Sequence, residues 1–178
     1  KGDRAQANEL IDEESYAAGL GERSTHREQL LAQAYTMYQQ RLRAANALDF
    51  DDLIMTTVHM LQVFPEVAEH YRRRFRHVLV DEYQDTNHAQ YVLIRELVGG
   101  YGASASTPEG APETAPAELV VVGDADQSIY AFRGATIRNI VEFEGDYPDA
   151  HAIVLEQNYR STQTILSAAN AVIARNPD

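Results

Sequence analysis

The chain has 178 residues, of which 44% are hydrophobic and 24% are charged, a composition typical of one soluble globular domain or of parts of two. Its formal net charge of −12 argues against a surface uniformly suited to nucleic acid, so we expect any such contact to be local. The absence of cysteine excludes disulfides and thiolate metal sites and is consistent with a reducing cytoplasm, and no apolar stretch approaches the length of a membrane span.

The N-terminal third of the chain is predicted to be helical. Residues 4–18 are acidic and helix-prone, and Thr25 with Glu28 forms a capping box that opens a longer helix. A further helix is predicted after the N-cap candidate Asp49 and ends before Pro65. The first of these two amphipathic helices is expected to bury Leu31, Ala34, Tyr35, Tyr38 and Leu42. The second is expected to bury Phe50, Leu53, Ile54, Val58 and Leu61.

Three apolar runs are predicted as strands of a parallel sheet, at residues 76–80, 119–122 and 151–155. Helical patterns surround them: a basic segment at 66–75, a short helix around 136–144, and two amphipathic helices. The earlier amphipathic helix opens at Asn87 and is expected to bury Tyr91, Ile94, Leu97 and Val98. The later one is expected to bury Ile165, Leu166, Ala169, Val172 and Ile173. Continuous apolar strands that alternate with helices predict an α/β fold, whose ligands bind at the carboxyl ends of the strands.

Residues 99–117 are rich in Gly, Ala, Ser and Pro and nearly lack large apolar side chains. Such a segment cannot bury enough surface to order itself, so we expect a flexible surface insertion.

The first strand ends on Asp81-Glu82-Tyr83-Gln84-Asp85-Thr86, which is typical of a Walker B element. Asp81 is suited to reach Mg²⁺, and Glu82, on the opposite face by strand alternation, is suited to orient or deprotonate a water. A solvated turn or a helix cap is the alternative interpretation of an acidic pair. The pattern indicates hydrolysis of a nucleoside triphosphate, although no Gly-x-x-x-x-Gly-Lys-Ser/Thr loop occurs in the chain.

The second strand leads into Gly123-Asp124-Ala125-Asp126-Gln127. The Gln127 amide can sense a γ-phosphate. Tyr130 and Phe132 lie two residues apart beside Arg133, which suggests a stacking platform for single-stranded bases with a phosphate contact. The alternative is that both aromatic side chains belong to the core.

The third predicted strand ends on Glu156-Gln157-Asn158-Tyr159-Arg160-Ser161. Arg160 can act as an arginine finger on the charge that develops during phosphoryl transfer, and Tyr159 can stack on a purine. Taken alone, Tyr-Arg carries almost no information, and an ordinary surface cation is the default interpretation.

With Leu48-Asp49-Phe50-Asp51-Asp52-Leu53-Ile54 preceding them, these three stretches resemble, in order, those of the UvrD/PcrA/Rep group of superfamily 1 DNA helicases. The resemblance implies helicase motifs II, III and IV on a RecA-like P-loop NTPase sheet. It implies ATP and Mg²⁺ as cofactors and single-stranded or partly duplex DNA as the partner.

By the same resemblance, Asp81 binds Mg²⁺, Glu82 is the catalytic base, and Gln127 and Arg160 contact the γ-phosphate. Tyr159 stacks near the adenine. The loop with Tyr130, Phe132 and Arg133 contacts DNA, although relatives often carry Trp where Phe132 stands.

The resemblance also implies a domain organisation. Residues 1–47 are expected to form the tail of an inserted helical subdomain. Residues 48–156 are expected to form the C-terminal part of the first RecA-like domain, and residues 157–178 the hinge and first helix of the second. Since the phosphate-binding loop is missing, we expect a fragment that neither hydrolyses ATP nor unwinds DNA alone.

Two other functions remain open from the sequence. The parent protein could be a helicase–nuclease subunit of the RecB/AddA kind, which shares these motifs. The chain could instead be a non-catalytic RecA-like module that binds single strands or a partner protein without ATP.

Overall fold

The computed structural model describes residues 9–21, 24–99 and 115–175; residues 4–8 of the first predicted helix and most of the predicted insertion lie outside these ranges. The chain divides into two compact units, Lys1–Phe143 and Glu144–Asp178. The predicted domain boundary at residues 156 and 157 stays a prediction.

The described part of the first unit contains helices and a small parallel sheet. Its helices are α1 (Glu13–Gly19), α2 (His26–Ala44), α3 (Phe50–Val63), α4 (Pro65–Arg74), α5 (His88–Val98) and α6 (Arg138–Val141), and its strands are β1 (His77–Val80) and β2 (Glu118–Val121). Short 3₁₀ turns follow the strands at Tyr83–Asp85, Ala125–Gln127 and Ala131–Arg133.

Three helices begin with reciprocal capping boxes, in which an N-cap side chain and the side chain three residues later each accept from the other's backbone N–H. Thr25 pairs with Glu28 at α2, and Asn87 pairs with Gln90 at α5, as predicted. Asp49 is the N-cap of α3, and Asp52 completes its box. Local sequence therefore determines where these helices begin.

The strands β1 and β2 pair in parallel, with His77 opposite Glu118 and Val80 opposite Val121, and α5 lies between them in the chain. This confirms two of the three predicted strands. The third prediction is wrong, because residues 151–155 form no strand, and Ile153, Val154 and Leu155 are each about four-fifths exposed. An apolar run becomes a strand only when a neighbouring strand offers backbone partners. Within the described part of the second unit, no strand does so.

The core of the first unit lies where α3, α4 and α5 pack on one another. Val58 and Leu61 of α3, Ala68 of α4 and Val92 of α5 are almost completely buried. A buried ion pair joins α4 to α5: Arg72 Nη2 lies 3.1 Å from Glu96 Oε2, and Arg72 Nε donates to the Glu96 carbonyl oxygen at 2.8 Å. A charged pair thus links two helices that otherwise pack through apolar groups.

Several predicted core positions are exposed instead. Ala34 and Tyr38 of α2 face solvent, while Ala32, Tyr35 and Gln39 are buried. Phe50 and Leu53 of α3 are also exposed. Apolar spacing identifies an amphipathic helix, but the neighbours that are present decide which part of its surface is covered.

The sheet has one open face in the described chain. Leu79 of β1 is 74% exposed and Val120 of β2 is 51% exposed, although continuous apolar strands of a parallel sheet are ordinarily buried on both faces. The alternation along each strand leaves the intervening residues half-buried.

The region predicted as one helix around 136–144 contains α6 and then α7 (Phe143–Asp146), which starts at the last residue of the first unit. The second unit also contains α8 (Gln163–Ile173), whose predicted inward residues Ile165 and Val172 are 59% and 67% exposed. None of the helices in the described ranges is long and apolar enough to cross a membrane.

Candidate functional site

The candidate site begins at the carboxyl end of β1. Asp81 and Glu82 are both exposed, and Asp81 Oδ1 accepts from the backbone N–H of Glu82 at 2.9 Å. Glu82 has φ 52° and ψ 44°, a left-handed conformation that costs a non-glycine residue roughly 1 kcal/mol or more. The chain then returns to the sheet, since the backbone N–H of Tyr83 donates to the Val122 carbonyl at 2.9 Å. The strained residue is therefore held between two ordered positions.

Gln84 connects the end of β1 to the segment that follows β2. Its side chain is 1% exposed. Its Nε2 donates to Glu82 Oε2 at 2.8 Å, and its Oε1 accepts from the backbone N–H of Asp124 at 3.1 Å. One buried amide thus contacts both strand ends.

The segment after β2 packs closely on Gln84. A Cβ atom on Gly123 would lie 2.7 Å from Gln84 Oε1 and 2.8 Å from Ile140 Cδ1, so any larger residue there would have to displace the ends of these two side chains. Beyond it, Asp124 Oδ2 accepts from Gln127 Nε2 at 2.6 Å. Hydrogen bonds therefore run without interruption from Glu82 through Gln84 and Asp124 to Gln127.

The next turn carries an aromatic and cationic cluster of Tyr130, Phe132 and Arg133. The Arg133 guanidinium carbon lies 5.0 Å from the Tyr130 ring centroid and 5.5 Å from that of Phe132. Phe132 is 78% exposed and Tyr130 is half-buried, so the alternative that both rings are core residues is wrong for Phe132. An exposed ring beside a guanidinium is suited to stack on a planar ligand.

The far end of this loop is attached to the same turn that follows β1. The backbone N–H of Thr136 donates to the Thr86 carbonyl at 3.1 Å. Asn139 Nδ2 donates to that carbonyl at 3.1 Å and to Thr86 Oγ1 at 2.9 Å. The loop between Asp124 and Thr136 is thus attached at both ends to residues 84–86.

Tyr159 and Arg160 lie in the second unit. Tyr159 is 92% exposed and the Arg160 side chain is exposed. Asn158 Oδ1 accepts from the backbone N–H groups of Arg160 and Ser161, both at 2.9 Å, which forms a local turn. The other predicted site residues all belong to the first unit.

Asp81 is the predicted metal ligand. Across the described ranges, no group of three or more His, Cys, Asp or Glu side chains could hold a metal ion. Mg²⁺ in nucleotide sites uses one or two carboxylates together with phosphate oxygens and waters. A single exposed carboxylate at a strand end fits that requirement.

Four residues of the site had no role predicted from the sequence: Gln84, Thr86, Asp124 and Asn139. Gln84 and Thr86 lie inside the acidic motif, and their spacing from the strand marks them as polar residues in a buried turn. For Asn139, 53 residues from Thr86, the local sequence carries no signal of this contact.

Residues 3–148 match the family model of the UvrD/REP helicase N-terminal domain. The chain belongs to this family. The resemblance to UvrD/PcrA/Rep helicases is therefore confirmed.

The relatives agree with this assignment. The chain is 68% identical over 169 residues to the ATP-dependent DNA helicase UvrD1 of Mycobacterium tuberculosis, covering 95% of this chain and 21% of that protein. It is 69% identical over 169 residues to UvrD1 of Mycobacterium leprae, with the same coverage. It is 49% identical over 157 residues to the ATP-dependent DNA helicase PcrA of Staphylococcus aureus, covering 88% of this chain and 20% of that protein. The chain thus spans about a fifth of the length of these curated relatives.

Proposed function

We propose that this chain is part of an ATP-dependent DNA helicase and translocase that moves 3′ to 5′ on single-stranded DNA and serves DNA repair or replication. In this proposal the sheet belongs to a first RecA-like domain, residues 1–47 to a helical subdomain, and residues from 157 onward to a second RecA-like domain. Such a protein would work on DNA in the cytoplasm. The chain by itself would have no useful ATPase activity, because it contains no phosphate-binding loop.

One observation carries the proposal: the ends of the two paired strands lie side by side and are joined by hydrogen bonds from Glu82 to Gln127. Glu82 and Gln127, which would act on the same γ-phosphate, follow the carboxyl ends of the two strands, where ligands of parallel sheets bind.

Each side chain then has a defined task. Bound Mg²⁺ would neutralise charge on the phosphates of ATP, and Asp81 would hold it. Glu82, with one carboxylate oxygen held by Gln84, would accept a proton from the attacking water through the other. Gln127 and Arg160 would contact the γ-phosphate, and Tyr159 would stack near the adenine. The cluster of Tyr130, Phe132 and Arg133 would stack on DNA bases and contact a phosphate.

The test uses M. tuberculosis UvrD1 in which this chain replaces the matching 169-residue segment, hereafter the exchange protein. We expect the exchange protein to hydrolyse ATP with stimulation by single-stranded DNA. Glu82→Gln should lower its kcat by about 100-fold or more, since general-base catalysis contributes about 10²–10⁴-fold. The Kd for oligo-dT should change little, because Glu82 does not belong to the aromatic cluster.

Glu118→Gln is the matched control. Glu118 is an exposed carboxylate at the opposite end of β2, where it pairs with His77, so its loss should leave kcat unchanged. Undiminished turnover in Glu82→Gln would refute the proposal. A non-catalytic module would instead show salt-dependent oligo-dT binding that is insensitive to ATP.

A further inference from the structure

We propose that Gln84 is a positioning residue that makes ATP hydrolysis depend on the conformation of the DNA-side loop, residues 124–136. The inference rests on the proposed function and adds to it a residue and a route of coupling. Gln84 would contact neither ATP nor DNA. Its amide would hold the base Glu82 in place only while the loop that carries Tyr130, Phe132 and Arg133 remains docked.

The chemistry of the amide is the first argument. At position 84 the side chain must donate to a carboxylate and accept from a backbone N–H at the same time. Only a primary amide does both at neutral pH with this length. An ionised Glu could not donate to Glu82, and an apolar residue would leave the Asp124 N–H without its buried partner.

The second argument is the conformation of Glu82. Its left-handed backbone is unfavourable for a residue with a Cβ atom, so surrounding contacts must maintain it. The hydrogen bond from Gln84 Nε2 reaches the Glu82 carboxylate directly. Loss of that bond would free the carboxylate to move, and a misplacement of about 1 Å can cost a reaction about 100-fold in rate.

The third argument is the attachment of the loop at two points. At its start, Asp124 N–H bonds Gln84 Oε1 and Ser128 Oγ donates to the Gln84 carbonyl at 3.4 Å. At its end, Thr136 and Asn139 bond Thr86. A displacement of the loop by DNA would therefore pull on the same three-residue segment that contacts Glu82.

Gly123 allows the two segments of this junction to approach closely. A Cβ atom at this position would lie 2.7 Å from Gln84 Oε1 and 3.3 Å from the Gln84 backbone nitrogen. The segment that enters the DNA-side loop therefore lies directly against the Gln84 amide.

The experiment measures kcat, KM for ATP, and the ratio of kcat with and without single-stranded DNA in the exchange protein. Gln84→Ala should lower DNA-stimulated kcat by about 10-fold or more and reduce the stimulation ratio. KM for ATP and the Kd for oligo-dT should each change by less than about 3-fold, because in the proposed mechanism Gln84 lies against neither ligand.

Gln84→Met separates positioning from a purely structural role. Met keeps roughly the length of the Gln side chain but cannot donate to Glu82 and is at most a weak acceptor for the Asp124 N–H. We expect Gln84→Met to lower DNA-stimulated kcat and the stimulation ratio as Gln84→Ala does, with KM for ATP changed by less than about 3-fold, whereas a role in packing alone would leave the ratio unchanged.

Gln39→Ala is the matched control, since Gln39 is a buried amide that donates to Asp52 Oδ1 at 2.8 Å between α2 and α3. It should lower the midpoint of thermal unfolding without changing the stimulation ratio. If Gln84→Ala fails to fold, Gln84→Met carries the test through the stimulation ratio.

Outcomes for the two proposals are distinguishable. The inference is overturned if Gln84→Ala or Gln84→Met keeps the stimulation ratio of the unchanged exchange protein while Glu82→Gln abolishes turnover. Turnover that survives in Glu82→Gln overturns the proposed function itself.

Discussion

The two units of this chain hold their predicted site residues in different ways. In the first, Glu82 and Gln127 are connected through hydrogen bonds between segments 40 residues apart. In the second, the turn that carries Arg160 is held by hydrogen bonds between residues two and three positions apart, and the side chain faces solvent. The first unit therefore builds geometry from tertiary contacts, whereas the second presents a side chain on a locally determined turn.

Arg160 gives the sharpest test of this contrast. If Arg160 is an arginine finger, Arg160→Ala in the exchange protein should lower kcat by about 10³-fold or more. The free energy of unfolding should stay the same, since the side chain is exposed. The measurements are steady-state ATPase activity and urea denaturation.

Arg175→Ala is the control, because Arg175 is another exposed cation of the second unit, just after α8. An equal loss of kcat in both variants would indicate a general charge effect and contradict the specific role of Arg160.

In the first unit, substitution of a residue that makes tertiary contacts should lower the free energy of unfolding. Arg72→Ala removes one half of the buried ion pair with Glu96, which is 0% exposed. We expect the free energy of unfolding to fall by about 3–5 kcal/mol. Urea denaturation followed by circular dichroism measures this change.

Arg73→Ala is the matched control, because Arg73 is also an arginine and directly follows Arg72 in the chain. Arg73 pairs with Glu69 across one turn of α4 and its side chain is 57% exposed, so its loss should cost about 0–1 kcal/mol. Equal effects of the two substitutions would contradict the importance of the buried pair.

The smallest effect is expected from a purely local contact, the Thr25 capping box. Thr25→Ala should destabilise the chain by about 1 kcal/mol. Hydrogen bonds from the backbone and side chain of Thr25 lower the pKa of Glu28 below its ordinary value. The pKa of Glu28 is lower in the folded chain than in the unfolded chain. The stabilisation from the ionised Glu28 carboxylate is therefore present above the unfolded pKa and is lost as pH falls through the folded pKa.

Denaturation midpoints measured at pH 7 and at pH values below 4 should therefore differ more for the unchanged chain than for Thr25→Ala. An identical pH dependence in both would show that the Thr25 hydroxyl does not contribute to the lowered pKa of Glu28.

Much of the architecture could be predicted because its signals are local. The capping boxes at Thr25, Asp49 and Asn87 are four-residue patterns, and each helix begins where its pattern says. The apolar runs that precede Asp81 and Gly123 identify two strands, and predicted site residues follow the carboxyl end of each. Residues 151–155 carry the same signal and form no strand, because pairing needs a second strand that local sequence does not supply.

The amino-acid sequence by itself determined the starts of α2, α3 and α5, the two apolar runs that form β1 and β2, the acidic motif and the family. Tertiary structure alone decided that Gln84 bridges Glu82 and Asp124, that Asn139 holds Thr86, and that Phe132 faces solvent while Tyr83 is buried. The physical reason is distance along the chain. Caps and apolar periodicity act over a few residues, whereas a buried amide finds its second partner only after the sheet brings together segments 40 residues apart.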